Sequence, residues 1–270
     1  MLAYILDMLT NGMVAVASRT CRWRKLLQWA LQNGYKTDEK TCAKAAERGQ
    51  LDVLKWLREQ GCPWDYTTCS SAAEGGHLAV LQWALENQSP WNSYKVSRSA
   101  ARQGHLHILR WMKAHNHFPD RVNNGFIDSA AAGGHLEVLQ WGLENSFFSS
   151  FSLPLVGSGL CNAAAAGGHL EVLQWGIDNG CLLTHEAIVA AVTHGHLEVA
   201  KWLHMNGCTL EVEAFTEAAA LGNIEMLRWL LESGCPWDES CCASAANLDV
   251  LMWLRENGCP WDKETVKMQR

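Results

Sequence analysis

Ala130–Gly142 reads AAAGGHLEVLQWG, and the same letters return at Ala164–Gly176. Looser copies run along most of the chain, and a tryptophan marks each one: Trp29, Trp56, Trp83, Trp111, Trp141, Trp175, Trp202, Trp229 and Trp253. The steps between them are 27, 27, 28, 30, 34, 27, 27 and 24 residues. A near-fixed period of this size is the signature of a repeat array.

Gly49–Gly75 serves as the unit. Leu51, Val53, Leu54, Trp56 and Leu57 are apolar, while Asp52, Lys55, Arg58 and Glu59 are polar. Spacings of three put the apolar residues on neighbouring faces of one helix. Their arc is wider than a one-sided surface helix needs, so a helix buried by a neighbour on either side is expected. Tryptophan and leucine, among them Trp56, Trp83, Trp175 and Trp202, should lie between those neighbours. Gly61 stops the helix, Pro63 forbids its continuation, and Asp65 can cap the next one. That second helix reads as short, Thr68–Ala73, and its small side chains permit close approach. One unit cannot bury its core alone.

The pattern A-A-x-x-G-H-L-E-V-L-x-W-L-x-E-N-G resembles the ankyrin repeat, whose usual core is A-A-x-x-G-H-L-E-V-V-K-L-L-L-E-x-G. The resemblance covers Arg22 to Asp262. Two features depart from it. Thr67-Thr68-Cys69-Ser70 stands where T-P-L-H is usual, and the step is mostly 27 residues against about 33. The shortfall lies where ankyrin repeats carry their β-hairpin finger. The resemblance therefore implies an all-α ankyrin-type helical-repeat solenoid of about nine repeats with clipped β-hairpin fingers. The short C-P-W-D form is similar to ankyrin proteins of large DNA viruses, algae and oomycetes.

A hydrophobic share of 48% and a charged share of 19% suit a folded chain. No apolar run is long enough for a membrane span, and residues 1–20 lack the basic start of a secretory signal. Cys62, Cys181, Cys208, Cys235 and Cys259 share one repeat position; Cys42, Cys69, Cys161 and Cys242 share another. Equivalent positions in stacked repeats lie ~8–10 Å apart, too far for a disulfide, which needs Cα atoms within ~7 Å. Both sets read as small core hydrophobes in a reducing compartment. An intracellular, cytoplasmic protein is expected, in the host cytoplasm if viral.

Residues 1–21 read as a degenerate capping repeat, or as the remnant of another module. Residues 22–262 form the array, and 263–270 form a capping stub. Extra length falls near His115–Asn124 and in Ser146–Gly159. In the last repeat Ala245-Ala246-Asn247-Leu248 lacks the usual Gly-Gly-His linker, so a tighter turn is expected there.

His77, His105, His135, His169 and His196 read as helix-entry side chains that hydrogen-bond a loop, because Gln50, Asn223 and Asn247 replace them elsewhere. No zinc-type cysteine spacing, no catalytic triad and no phosphate loop is legible. Neither enzyme chemistry, a metal nor a cofactor is expected. Charge is more informative. The window Asn92–Asn124 holds Lys95, Arg98, Arg102, Arg110, Lys113 and Arg121 against Asp120 alone; it is +5, so the rest of the −6 chain carries −11. Such a patch can steer an acidic partner, but it is not the broad basic stripe of a nucleic-acid binder. Phe147, Phe148 and Phe151 lie in an insertion the repeat does not require, and array insertions often map to the binding face.

These features point to a non-enzymatic protein-binding scaffold, monomeric, with no nucleic-acid or membrane partner. The partner should lie on the face of the small-residue helices and the turns before them. Lys95, Arg98 and Arg102 would supply charge, and Phe147, Phe148 and Phe151 apolar anchors. The resemblance leaves a second reading, the substrate-recognition part of a ubiquitin-ligase adaptor.

Overall fold

The structure is a computed structural model, and it describes residues 28–29, 32–34, 36–119, 124–145 and 159–259. Those residues hold sixteen helices and no β-strand. The expected caps at 1–21 and 263–270 and the insertion carrying Phe147, Phe148 and Phe151 lie outside the described residues. The chain divides into two compact units, Met1–Ala130 and Ala131–Arg270.

In the first unit, α1 (Glu39–Glu47), α3 (Tyr66–Glu74) and α5 (Ser93–Arg102) are inner helices. Each precedes an outer helix: α2 (Leu51–Glu59), α4 (Leu78–Glu86) and α6 (Leu106–Ala114). Helix α7 (Asn124–Ala132) ends the unit. The inner helices stack in order, α1 on α3 and α3 on α5. Ala45, Ala46, Ala72, Ala73, Ala100 and Ala101 at those contacts are fully buried. Side chains no larger than a methyl at these positions let the helix axes close up. Outer helices bury positions three, four and seven: Val53, Leu54 and Leu57, then Val80, Leu81 and Ala84, then Ile108, Leu109 and Met112. Each fully buried leucine contributes about 2 kcal/mol.

The second unit repeats the arrangement after α8 (Leu136–Glu144). Its inner helices are α9 (Gly159–Gly167), α11 (His185–Thr193), α13 (Val212–Leu221) and α15 (Glu239–Ala243). Its further outer helices are α10 (Leu170–Asp178), α12 (Leu197–Met205), α14 (Ile224–Glu232) and α16 (Leu248–Glu256). Again α9, α11, α13 and α15 pack in sequence. Each unit is thus an all-α helical-repeat solenoid of the ankyrin type, with a short turn in place of the β-finger.

The turn chemistry matches the sequence. Asp38, Asp65 and Asp238 cap inner helices, each carboxylate accepting a backbone N–H within its first turn. Gly61 takes φ +76 after α2, and Cys62 N–H then donates back to the Leu57 carbonyl at 3.0 Å. This is a Schellman ending.

Three expectations need correction. The small-residue helix is not short: α3 has nine residues, as does α2. Helix α3 starts directly at the Asp65 cap and runs through Glu74, so Tyr66, Thr67 and Glu74 are helical too. The tryptophans are not core. Trp56, Trp83, Trp175 and Trp202 are half-buried, Trp29 is exposed, and among the described tryptophans only Trp141 is buried. Position six of an outer helix lies on the shoulder of the stack, where the indoles meet turn residues: Trp64 and Trp83 have ring centroids 5.8 Å apart. The last linker is not tighter either. Helix α15 is cut to five residues, and the four residues Ser244 to Asn247 lead to α16, whose cap is Asn247. The missing length came out of the helix.

Candidate functional site

The chemistry shared by the repeats is structural, so the positions where the inner helices differ are the ones left without a structural role. Helix α5 carries Lys95, Arg98 and Arg102 and no acid. Their spacings of three and four put them on one face. Asn92 sets the helix start by accepting Lys95 N–H at 3.0 Å, and Val96, Ala100 and Ala101 on the opposite side are fully buried. The basic face must then be the free one. Lys95, Arg98 and Arg102 are all exposed.

Each cation is held differently. Lys95 Nζ lies 3.1 Å from the Tyr66 hydroxyl and 4.3 Å from the centre of its ring. Arg98 Nε is 3.5 Å from Ser129 Oγ. A Cβ on Gly125 would come 3.1 Å from that nitrogen, so the guanidinium lies flat across a position without a side chain. Beside it, burial raises the Asp128 carboxyl above its ordinary value and the Arg98 charge opposes that rise. Arg102 stands in the last turn of α5, where a cation complements the helix dipole.

The basic window of the sequence therefore separates in space. Lys95, Arg98 and Arg102 belong to the inner helix α5, whereas Arg110 and Lys113 belong to the outer helix α6. Arg121 and Asp120 lie outside the described residues, as do Phe147, Phe148 and Phe151.

Two residues of this face were not singled out in the sequence. Tyr66 is 36% exposed and Tyr94 42% exposed, each in the first turn of its inner helix. The available signal was an aromatic at a helix start that the repeat does not require. In the second unit the corresponding turns carry exposed Glu186, Glu213 and Glu239. Acids there are explained by the helix dipole alone; a lysine and two tyrosines are not.

The histidines take the structural role expected. His105 Nε2 lies 2.9 Å from the Glu74 carbonyl, His169 Nε2 3.1 Å from that of Ala132, and His196 Nε2 2.9 Å from that of Ala166. Asn223 and Asn247 do something else: they cap their own helices through Met226 and Val250 N–H. Among the described residues no group of three or more His, Cys, Asp or Glu could hold a metal ion. No described helix is long and apolar enough to cross a membrane.

The described cysteines are buried, but the two sets are not kept apart. Cys42 Sγ lies 3.2 Å from Cys62 Sγ, and Cys242 Sγ 2.6 Å from Cys259 Sγ. Like positions of different repeats are a helix diameter apart, but the close approach is between unlike positions of one repeat.

No protein-family model matches the sequence, and no curated protein does. Among solved structures, the crystal structure of the human ASB11 ankyrin repeat domain is similar, at 17% identity and a TM-score of 0.37, over 82% of this chain and 99% of that one.

Proposed function

We propose that the chain is a non-enzymatic protein-binding scaffold that holds an acidic segment of another protein against the free face of α3 and α5. One observation carries this: Tyr66, Tyr94, Lys95, Arg98 and Arg102 are exposed together on successive inner helices, and neither capping nor core packing demands those residue types. Tyrosine and arginine are favoured anchors at interfaces. A cluster of one charge sign speeds encounter with the opposite sign. Phe147, Phe148 and Phe151 are proposed as a second, apolar contact, on the ground that their loop is an addition to the repeat.

The test is to recover binding partners with the full chain, then compare Lys95→Glu/Arg98→Glu/Arg102→Glu and Phe147→Ala/Phe148→Ala/Phe151→Ala variants. The charge reversals should slow association and remove most of its salt dependence. Binding unchanged in both variants would sink the site assignment. Recovery of ubiquitin-ligase subunits by the wild-type chain would favour the adaptor reading.

A further inference from the structure

The thiol pairs follow a rule. An inner-helix cysteine stands four residues after the N-cap: Cys42 after Asp38, Cys69 after Asp65, Cys242 after Asp238. A turn cysteine stands two residues after the outer-helix C-cap: Cys62 after Gln60, Cys181 after Asn179, Cys259 after Asn257. In each repeat the two positions meet. Cys42 meets Cys62 and Cys242 meets Cys259; Cys161 and Cys181 converge on Gly176, where an added Cβ would lie 3.5 Å from Cys161 Sγ and 3.6 Å from Cys181 Cβ. Where the turn position is Ser89, Cys69 Sγ lies 3.5 Å from its hydroxyl oxygen. Where the inner position is Ile188 or Phe215, the turn residues Cys208 and Cys235 have no thiol opposite in their own repeat. Cys42, Cys69, Cys161 and Cys242 thus each face a thiol or a hydroxyl of their own repeat, whereas Cys241 Sγ lies 3.6 Å from Thr216 Oγ1 of the preceding repeat.

We propose that Cys42–Cys62, Cys161–Cys181 and Cys242–Cys259 are disulfide sites, closed within single repeats by exchange with a small-molecule disulfide such as oxidised glutathione. The turn cysteine is the entry point. Cys181 and Cys259 are slightly exposed, at 6% and 7%, whereas Cys161 and Cys242 are sealed; Cys62 is as buried as Cys42 but stands between exposed Gly61 and Pro63. In the first two pairs the turn thiol is also the more acidic one. The hydrogen bond from Cys42 holds Cys62 below its ordinary value, against burial, and raises Cys42; Cys161 and Cys181 behave the same way. The turn thiol loses its proton, and its sulfur attacks one sulfur of glutathione disulfide, forming a mixed disulfide and releasing one glutathione thiolate. The inner thiol then gives up its proton, and its sulfur displaces the second glutathione from the turn sulfur. Two protein thiols are oxidised, the glutathione disulfide is reduced to two thiols, and the two protons go to the departing thiolates. The product ties the inner helix to the turn that follows its outer helix, removing conformational freedom from the unfolded repeat.

The experiment oxidises the folded full chain with glutathione disulfide, blocks remaining thiols with an alkylating agent, and maps cross-linked peptides by mass spectrometry. The expected links are Cys42–Cys62, Cys161–Cys181 and Cys242–Cys259, with Cys208 and Cys235 alkylated. Cys62→Ala should remove the first link only. Ser89→Cys should create a fourth link, to Cys69. Oxidised protein should unfold at higher urea than reduced protein. Links between different repeats, stable glutathione adducts without closure, or thiols that all stay alkylatable would overturn the assignment.

Discussion

Nε2 of His105 donates to the carbonyl oxygen of Glu74 at 2.9 Å, reaching from the entry of one outer helix to the end of the preceding repeat's inner helix. The acceptor is among the last carbonyls of α3, which have no partner inside the helix. The histidine therefore ties one repeat to the next. His107 adds a second tie, its Nε2 lying 3.0 Å from the Gly76 carbonyl.

His105→Ala should lower the unfolding free energy by about 0.5–1.5 kcal/mol, the usual worth of such a bond. Urea melts of the two proteins check this. His115→Ala is the control, because the contacts of its ring, with the Trp111 carbonyl and the Trp111 indole, stay on its own helix. An equal loss in both variants would refute the inter-repeat role.

Wherever it is described, the C′ position after an outer helix takes the left-handed region. Gly61 takes it at φ +76, but Gln88 stands there at φ +63 and Asn116 at +55. A left-handed non-glycine residue costs roughly 1–2 kcal/mol, of which a glycine's extra chain entropy returns part. Gln88→Gly should therefore stabilise by about 0.5–1 kcal/mol, and Gly61→Ala should destabilise by about 1 kcal/mol. Open space surrounds a Cβ at Gly61, so conformation alone acts there. At Gly75 a Cβ would collide with the Glu47 carbonyl, so Gly75→Ala should cost more than Gly61→Ala although its φ is ordinary. Urea midpoints order the variants.

The helix-turn-helix unit was legible because each of its signals is local. Asp65, Pro63 and Gly61 act within a few residues of where they stand, and each did what its chemistry predicts. What failed depended on neighbours. Position six of an outer helix looked like core because tryptophan is large and apolar; only the stacked neighbour shows that it sits on the shoulder. The Cys42–Cys62 approach joins residues 20 apart, a separation that helical periodicity does not address. Lys95, Arg98 and Arg102 were legible as a face from spacing alone, whereas Tyr66 entered it only through a contact across two inner helices.

Stability should fall as pH drops below neutrality. Burial holds the His77 imidazole below its ordinary value of 6.5; the bond to the Glu47 carbonyl opposes this, and the charges of His105 and His107 reinforce it. In the fold His77 is therefore neutral where the unfolded chain already binds a proton. Between the ordinary value and the lower folded one, the unfolded state holds more protons, so stability rises with pH across that window. His77→Asn places there the residue that caps α14 and α16 in other repeats. Its urea midpoint should change less between pH 7.5 and pH 5.5 than the wild type's (the window surrounds about 6.5).

The two apolar classes of the outer helix can be ranked directly. Leu81 is fully buried between repeats, so Leu81→Ala removes its burial and leaves a cavity, at about 2–5 kcal/mol. Trp83 is larger but half-buried, resting on the Trp64 ring at 5.8 Å with the Lys55 ammonium 5.9 Å from its own ring. Both contacts are at the surface, and the vacated space opens to water, so no cavity is enclosed. Trp83→Ala should cost about 1–2 kcal/mol, on the order of one aromatic contact plus part of its apolar area. The smaller side chain should therefore matter more. Equilibrium urea unfolding of both variants decides it: a larger loss for Trp83→Ala would mean that the tryptophan ridge, and not the leucine layer, holds successive repeats together.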